Sequence, residues 1–326
     1  MFSFENILNL PLIWYGLIAV AIFLYVLLDG FDLGVGILFP FAPSDQCRDR
    51  LMNSIAPFWD GNETWLVLGG GGLFAAFPLA YSVIMPALYI PIILMLLGLI
   101  FRGVAFEFRF KADKSKKIWD YAFHFGSLGA TFMQGMVLGT FVQGIPVTGR
   151  SFSGGPYDWL NAYSVMTGIA MIFGYALLGA TWVVMKTEGT TQEWARKSAG
   201  YVLGYVGLFL VMVSISMPVM NPEIRKLWFS LPNVFLLFPI PCVTLIFFIM
   251  IWKDLYKGLE YFRILVHQLF KLQDDIVPFD NKVFHFSFHI RIFLFSHGKV
   301  SHHIGKGHTN GASHGSSSTT SGNRCF

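Results

Sequence analysis

An all-α, polytopic bundle of membrane-spanning helices is the architecture this sequence predicts, and three observations carry the prediction. Of 326 residues, 54% are hydrophobic and only 13% are charged, about half the charge of an ordinary soluble domain. The apolar residues gather in seven runs long enough to cross a bilayer, which takes about 20 helical residues. Basic residues collect in alternate loops between those runs. Strand-like alternation, the mark of a membrane barrel, does not occur in the runs. Backbone in lipid must satisfy its own polar groups, which leaves helices. The net charge of +4 sits in short inter-span loops, so it reports topology and says little about nucleic acid, which is not expected as a partner.

The first span is expected near 12–39. The residues before it lack a basic stretch and the run is too long for the apolar part of a cleaved signal, so it reads as a retained helix. It contains LLDGFDLGVG at 27–36. Asp29 and Asp32 lie three apart, on one helical face. Charge is normally excluded from spans, so the two aspartates are either a structural hydrogen-bonded pair or part of a polar path. Gly30 and Gly34 form a small-residue pair suited to close helix packing, as do Gly135 with Gly139 and Gly200 with Gly204.

A loop carrying Arg48 and Arg50 leads to SIAPFWDGNETWLVLGGGGLFAAFP at 54–78. Pro57 should stop whatever precedes it, Gly61 should allow a turn, and Asn62 should cap the helix that follows. Asp60 and Glu63 stand between Trp59 and Trp65, at the mouth of a segment that carries no charge until Arg102. Such carboxylates are either hydrated in an interfacial loop or belong to a proton or ion path. Gly69 to Gly72 would let another backbone or a cofactor approach closely.

Spans two and three are expected near 64–84 and 86–104, joined by a turn at 80–86. The third ends in LIFRGVAFEFRF, with Arg102 at its inner end and Glu107 and Arg109 beyond. Arg102 either snorkels to the interface or pairs with an acidic group, which makes Arg102 and Glu107 candidates for charge pairing. The remaining spans fall near 120–143, 162–185, 199–220 and 234–252. Trp14, Tyr15, Trp119, Tyr121, Trp159 and Trp252 read as interface anchors. Arg48 and Arg50, the basic residues from Arg109 to Lys117, then Lys186, Arg196 and Lys197, and finally Lys253 and Lys257 all fall on one side of seven spans. Positive-inside counting makes that side cytoplasmic and the N-terminus periplasmic.

Neither a metal nor a haem constellation is visible. Cys47, Cys242 and Cys325 lie far apart and match no ligand spacing or disulfide framework. His124 is the only histidine before residue 260, and a haem wants axial His, Met, Cys or Tyr. Methionines scattered through apolar helices are packing residues by default. From about residue 254 the character changes. Residues 1–260 form the transmembrane region, and 261–326 a His/Ser/Gly-rich tail expected to be disordered. Within the tail, His285 and His289 would share a helical face, but no carboxylate or cysteine accompanies them at ligand spacing.

The blocks DGFDLGVG at 29–36, NSIAPFWDGNETW at 53–65, GGLFAAFP at 71–78 and FRGVAFEFR at 101–109 together resemble subunit II of the cytochrome bd-type quinol oxidases. Residues 154–189 resemble the cyanide-insensitive branch of that family. The resemblance covers roughly residues 10–260. It implies two four-helix bundles plus one peripheral helix, in a bacterial cytoplasmic (inner) membrane complex that oxidises quinol and reduces dioxygen to water. The haems, b-type and d-type, would be ligated by a partner, subunit I, with none ligated by this chain. A small accessory subunit, lipid and quinone are further possible partners. The resemblance also implies a role for Asp60 in a cytoplasmic proton-entry route, to which the residue pattern adds Asp29, Asp32 and Glu63. After roughly Tyr261 the sequence does not resemble the family's two further helices and reads as though the frame had shifted, leaving the region incomplete. Two other readings compete: a secondary transporter whose Asp29, Asp32 and Asp60 bind a coupling ion, and a scaffold with no proton role. A transporter should show Gly-interrupted helices in matching halves, and Gly69–Gly72 has no counterpart in the second half.

Overall fold

In the computed structural model of the chain, residues 10–112 and 114–257 are described. The expectations placed on the tail, on His285 and His289 and on Cys325 lie outside them. Helix α1 (Leu10–Leu38) runs straight through the aspartate-bearing segment and ends in a 3-10 turn at Phe39–Phe41. The short amphipathic α2 (Asp45–Ile55) follows, with Ser44 as N-cap accepting from the Cys47 amide at 3.2 Å. Its apolar face, Cys47, Leu51, Met52 and Ile55, is buried, as the helical spacing requires.

Helix α3 spans Trp59–Ala76 and α4 spans Pro78–Arg109, with the break at Phe77. The turn expected at 80–86 is therefore not there. Pro78 sits in the first turn of α4, where its missing N–H costs nothing, while Pro86 and Pro91 are carried inside the helix. Prolines are tolerated in membrane helices because neighbouring groups re-satisfy the freed carbonyls. The N-terminus of α3 also differs from expectation. Phe58 is the N-cap, and Gly61 and Asn62 lie within the helix, which leaves the Asn62 side chain free to point elsewhere.

Helix α5 (Lys116–Gln143) leads to a two-residue ribbon, β1 (Val147–Thr148) against β2 (Ser151–Phe152), antiparallel. Helix α6 (Ala162–Lys186) opens with a capping box: Asn161 accepts from the Ser164 amide at 2.9 Å, and the Ser164 hydroxyl accepts from the Asn161 amide at 3.1 Å. Helices α7 (Gly189–Met220), α8 (Pro222–Phe229), α9 (Asn233–Leu237) and α10 (Pro239–Lys257) complete the described chain. Among the described residues, six helical segments are long and apolar enough to cross a membrane: α1, α4, α5, α6, α7 and Asn233–Lys253. Helix α3, the second of the seven runs, has 18 residues and carries two carboxylates in its first two turns.

Helix α1 is central, packing against α3, α5 and α6, while α4 packs on α5 and α7 on α6. Several crossings need glycine, among them the expected pair Gly135 and Gly139, where a Cβ at Gly135 would meet Gly168 Cα of α6 at 2.5 Å. A Cβ at Gly34 would run into the Tyr175 carbonyl of α6, and one at Gly98 would meet the Gly126 carbonyl of α5 at 2.7 Å. The close approach expected at Gly69–Gly72 is milder: Gly69 meets the Ile22 side chain and Gly72 those of Ile18 and Trp14, all on α1, and Gly70 and Gly71 face open space, as do Gly200 and Gly204. Trp159 is buried, its indole N–H donating to the Pro156 carbonyl at 3.0 Å, in contrast to the interface position expected for it.

Candidate functional site

Close packing of α1 against its neighbours brings Asp29 and Asp32 onto the face where α3, α4 and α5 converge. Both aspartates and Arg102 of α4 are fully buried. An arginine this deep in apolar surroundings is stable only if its charge is met. The Arg102 guanidinium donates through Nη1 to Asp29 Oδ1 at 2.7 Å and through Nη2 to Glu63 of α3. One planar fork thus ties three helices together, which lysine could not do in the same geometry. The side chain of Glu63 remains 26% exposed, whereas that of Asp29 is 1% exposed. Asp32 receives a different partner. Asn62 donates its amide to Asp32 Oδ2 at 2.7 Å and reaches the Leu28 carbonyl at 3.4 Å. Asn62 thus serves as an internal donor for a buried carboxyl group.

One turn earlier on α1, Tyr25 lies beside Asp29. Its hydroxyl accepts from Gln134 Nε2 of α5 at 2.6 Å, and Gln134 Oε1 in turn accepts from Tyr175 of α6 at 2.8 Å. A neutral amide between two phenols extends the polar interior across α1, α5 and α6. Gln134 escaped the sequence reading because a single glutamine in an apolar helix gives no pattern; its i+3 spacing from Thr131 and i+7 from Ser127 was the available signal.

Asp60 does not join this group. It is exposed on the first turn of α3, three residues before Glu63. Trp59 beside it stacks on Phe106 of α4 with ring centroids 4.9 Å apart, fixing the start of α3 against α4. Glu107 also lies apart, exposed and paired with Lys111 at 3.2 Å. A second arginine, read from the sequence as one of the basic loop residues, is also buried. Arg109, at the last turn of α4, donates to Asp120 of α5 at 2.5 Å and to Asp49 of α2 at 2.6 Å, with its guanidinium over the Phe39 ring at 5.0 Å. Lys116 adds a contact to Asp49 at 3.1 Å. Burial pushes the Asp49 carboxyl up, but the hydrogen bonds from Arg109 and Lys116 outweigh it and hold the group below its usual value.

Among the described residues no group of three or more His, Cys, Asp or Glu could hold a metal ion. His124 sits at 3.1 Å from the Gly36 carbonyl through Nδ1, with its ring edge-on to Phe41 and Phe125.

A family model described as cytochrome bd terminal oxidase subunit II matches residues 10–270. The chain belongs to that family. Among curated members, it is similar to cytochrome bd ubiquinol oxidase subunit 2 of Bacillus subtilis, 38% identical over 198 residues, covering 60% of this chain and 59% of the relative. Similarity to cytochrome bd-I ubiquinol oxidase subunit 2 of Escherichia coli K12 is 34% over 198 residues, covering 58% and 52%. The chain thus matches somewhat over half the length of these subunit II relatives. The solved structure of bd oxidase from Geobacillus thermodenitrificans shares the fold, with a TM-score of 0.59 over 76% of each chain at 17% identity. Membership of this bd oxidase family, together with the six apolar helices, makes the chain a multi-pass membrane protein.

Proposed function

We propose that this chain is the non-haem-ligating subunit of a terminal quinol oxidase, supporting a haem-bearing subunit I and taking up protons from the cytoplasm for the reduction of dioxygen to water. The supporting observation is a graded series of carboxylates: Asp60 exposed, Glu63 about a quarter exposed, Asp29 and Asp32 fully buried. Three of them surround one guanidinium, so the interior holds more acidic groups than its cation can neutralise. Carboxyl groups in surplus over local positive charge are the ones that exchange protons, because the neutral form relieves the burial cost. Asp60 would take a proton from water, and Glu63, one turn on, would carry it toward the Arg102 cluster.

In this reading the haems, b-type and d-type, are held by the partner. Met95 and Met136 are packed into the core of this chain, as methionines in apolar helices are by default. Quinol is the electron donor of the complex, and a small accessory subunit and lipid complete its surroundings. The membrane is the bacterial cytoplasmic membrane, with the basic Arg109–Lys117 end in the cytoplasm and the N-terminus periplasmic.

The test is oxygen consumption by quinol in the assembled, haem-loaded complex. Asp60→Asn keeps the shape and removes the titrating group. It should slow turnover by about tenfold or more with haem content and abundance near normal, and Asp60→Glu should recover part of the rate. Unchanged turnover in Asp60→Asn would leave the scaffold role alone.

A further inference from the structure

We propose that Asp32 is a stored carboxylic acid, protonated at rest, whose proton is held by internal water between it and Thr131. The first support is a count of charges and donors. Asp32 is fully buried, and its protein partner is the neutral amide of Asn62, on Oδ2. The facing charged groups are Asp29 on α1, Glu63 on α3 and Arg102 on α4; α5 presents hydroxyls, and α6 presents Tyr175 through Gln134. Both terminal nitrogens of Arg102 are taken, by Asp29 and by Glu63. An ionised Asp32 would therefore add buried negative charge with no cation left to answer it, which burial penalises. A neutral Asp32 still accepts from Asn62 at Oδ2 and carries its proton on Oδ1.

The second support is where that proton can go. Asp32 Oδ1 and Asp29 Oδ2 have no protein hydrogen-bond partner, and neither have Arg102 Nε, Ser127 Oγ and Thr131 Oγ1, all buried. On α5, His124, Ser127, Thr131 and Gln134 follow at three- and four-residue spacing and share one stripe. Three of them meet α1: His124 and Ser127 at Gly36, and Gln134 at Tyr25. The two helices run antiparallel, so Thr131, between Ser127 and Gln134, lies level with the turn from Asp29 to Leu33. Its hydroxyl thus shares a level of the interior with the unpartnered carboxyl oxygens. Buried polar atoms without protein partners are normally met by ordered water, which needs two to four polar neighbours. Asp32 Oδ1, Thr131 Oγ1, Asp29 Oδ2 and Arg102 Nε supply them.

The inference about protonation rests on packing and charge; the use of Asp32 as a way station rests on the proton-uptake reading. Infrared difference spectroscopy of the full chain purified in its complex, in H2O and in D2O, reads the acid directly. We expect the carbonyl stretch of a buried protonated carboxylic acid at neutral pH, shifting to lower frequency on deuteration. It should vanish in Asp32→Asn and move in Thr131→Val, where the water loses a partner. A spectrum unchanged by Asp32→Asn overturns the proposal, and a band unmoved by Thr131→Val overturns the water bridge. Should Asp32→Asn fail to accumulate, Asp32→Glu must move the band, and a band left in place is equally fatal. Asp60→Asn separates the two readings. If the Asp32 band persists while Asp60→Asn turns over normally, the proton route fails and the stored acid stands. If the band is absent while Asp60→Asn is slow, the reverse holds.

Discussion

Two arginines on one helix, seven residues apart, are both fully buried, and they sit in opposite electrostatic situations. Around Arg109 the charges balance: Asp49 and Asp120 face Arg109 and Lys116, and aromatic rings of Phe39 and Phe110 cover the guanidinium. Around Arg102 they do not, because Asp29, Asp32 and Glu63 face a single cation. Solvent access differs as well. The side chains of Asp49 and Asp120 are 37% and 16% exposed; in the Arg102 cluster Glu63 is 26% exposed, but Asp29 is 1% exposed and Asp32 is fully buried. A balanced, partly wet cluster has nothing to gain from moving protons, and it ties α2, α4 and α5 at their ends. A surplus of buried carboxyl groups has to manage protons simply to exist.

That contrast predicts the largest effect at Arg102. Arg102→Gln leaves Asp29 and Glu63 without their cation, and breaking a buried pair in this way costs about 3–5 kcal/mol. The protein should fail to accumulate in membranes, as seen by immunoblot of membrane fractions. Near-normal accumulation would mean that the buried carboxyls simply take up protons, and the two clusters would then be less different than their geometry says. Arg109→Gln should cost less, about 1–3 kcal/mol, because water can reach both carboxylates and Lys116 stays on Asp49. A thermal-unfolding midpoint lowered by several degrees, with the protein still accumulating, is the expected result. Lysine substitutions sharpen the same point. Arg102 spans two helices with the two tips of its fork, a reach that an ammonium does not reproduce. Arg102→Lys should therefore lower the midpoint clearly more than Arg109→Lys; equal shifts would remove geometry from the explanation.

Both clusters are built from distant parts of the chain, and this explains what could be read from the sequence. The apolar runs marked the long helices because burial in lipid needs no partner to be recognised. The break between α3 and α4 lies at Phe77, ahead of the turn expected at 80–86, because the chain restarts as helix at Pro78 and carries Pro86 and Pro91 inside it. Asn62 looked like a cap because it precedes an apolar run, yet α3 begins a turn earlier and spends the side chain on Asp32. Asp29, Asp32, Glu63 and Arg102 stood out as charges in apolar surroundings, and their meeting was open as one of two readings. Arg109 did not stand out, since it lies among loop lysines in sequence. Its partners Asp49 and Asp120, 60 residues before it and 11 after, are supplied only by the fold.

The smallest effect belongs to the wettest member of the balanced cluster. The Asp49 carboxyl lies below its ordinary value because hydrogen bonds from Arg109 and Lys116 outweigh the upward push of burial. A carboxyl whose folded value is depressed adds stability that is present above its unfolded value, about 3.9 for aspartate. That stability is lost as the pH falls from there through the folded value. At neutral pH, Asp49→Asn should then cost roughly 0.2–1 kcal/mol, the range of an exposed pair, since solvent screens a side chain this open. The difference in unfolding midpoint between wild type and Asp49→Asn should shrink on acidification below about pH 4 and close once Asp49 is protonated in both states. High salt should narrow it at neutral pH, because exposed pairs are screened within about 10 Å at 0.1 M. A difference that stayed constant from neutral to acid pH would show that Asp49 acts through packing, and the Arg109 cluster would lose its claim to be held by balanced charge.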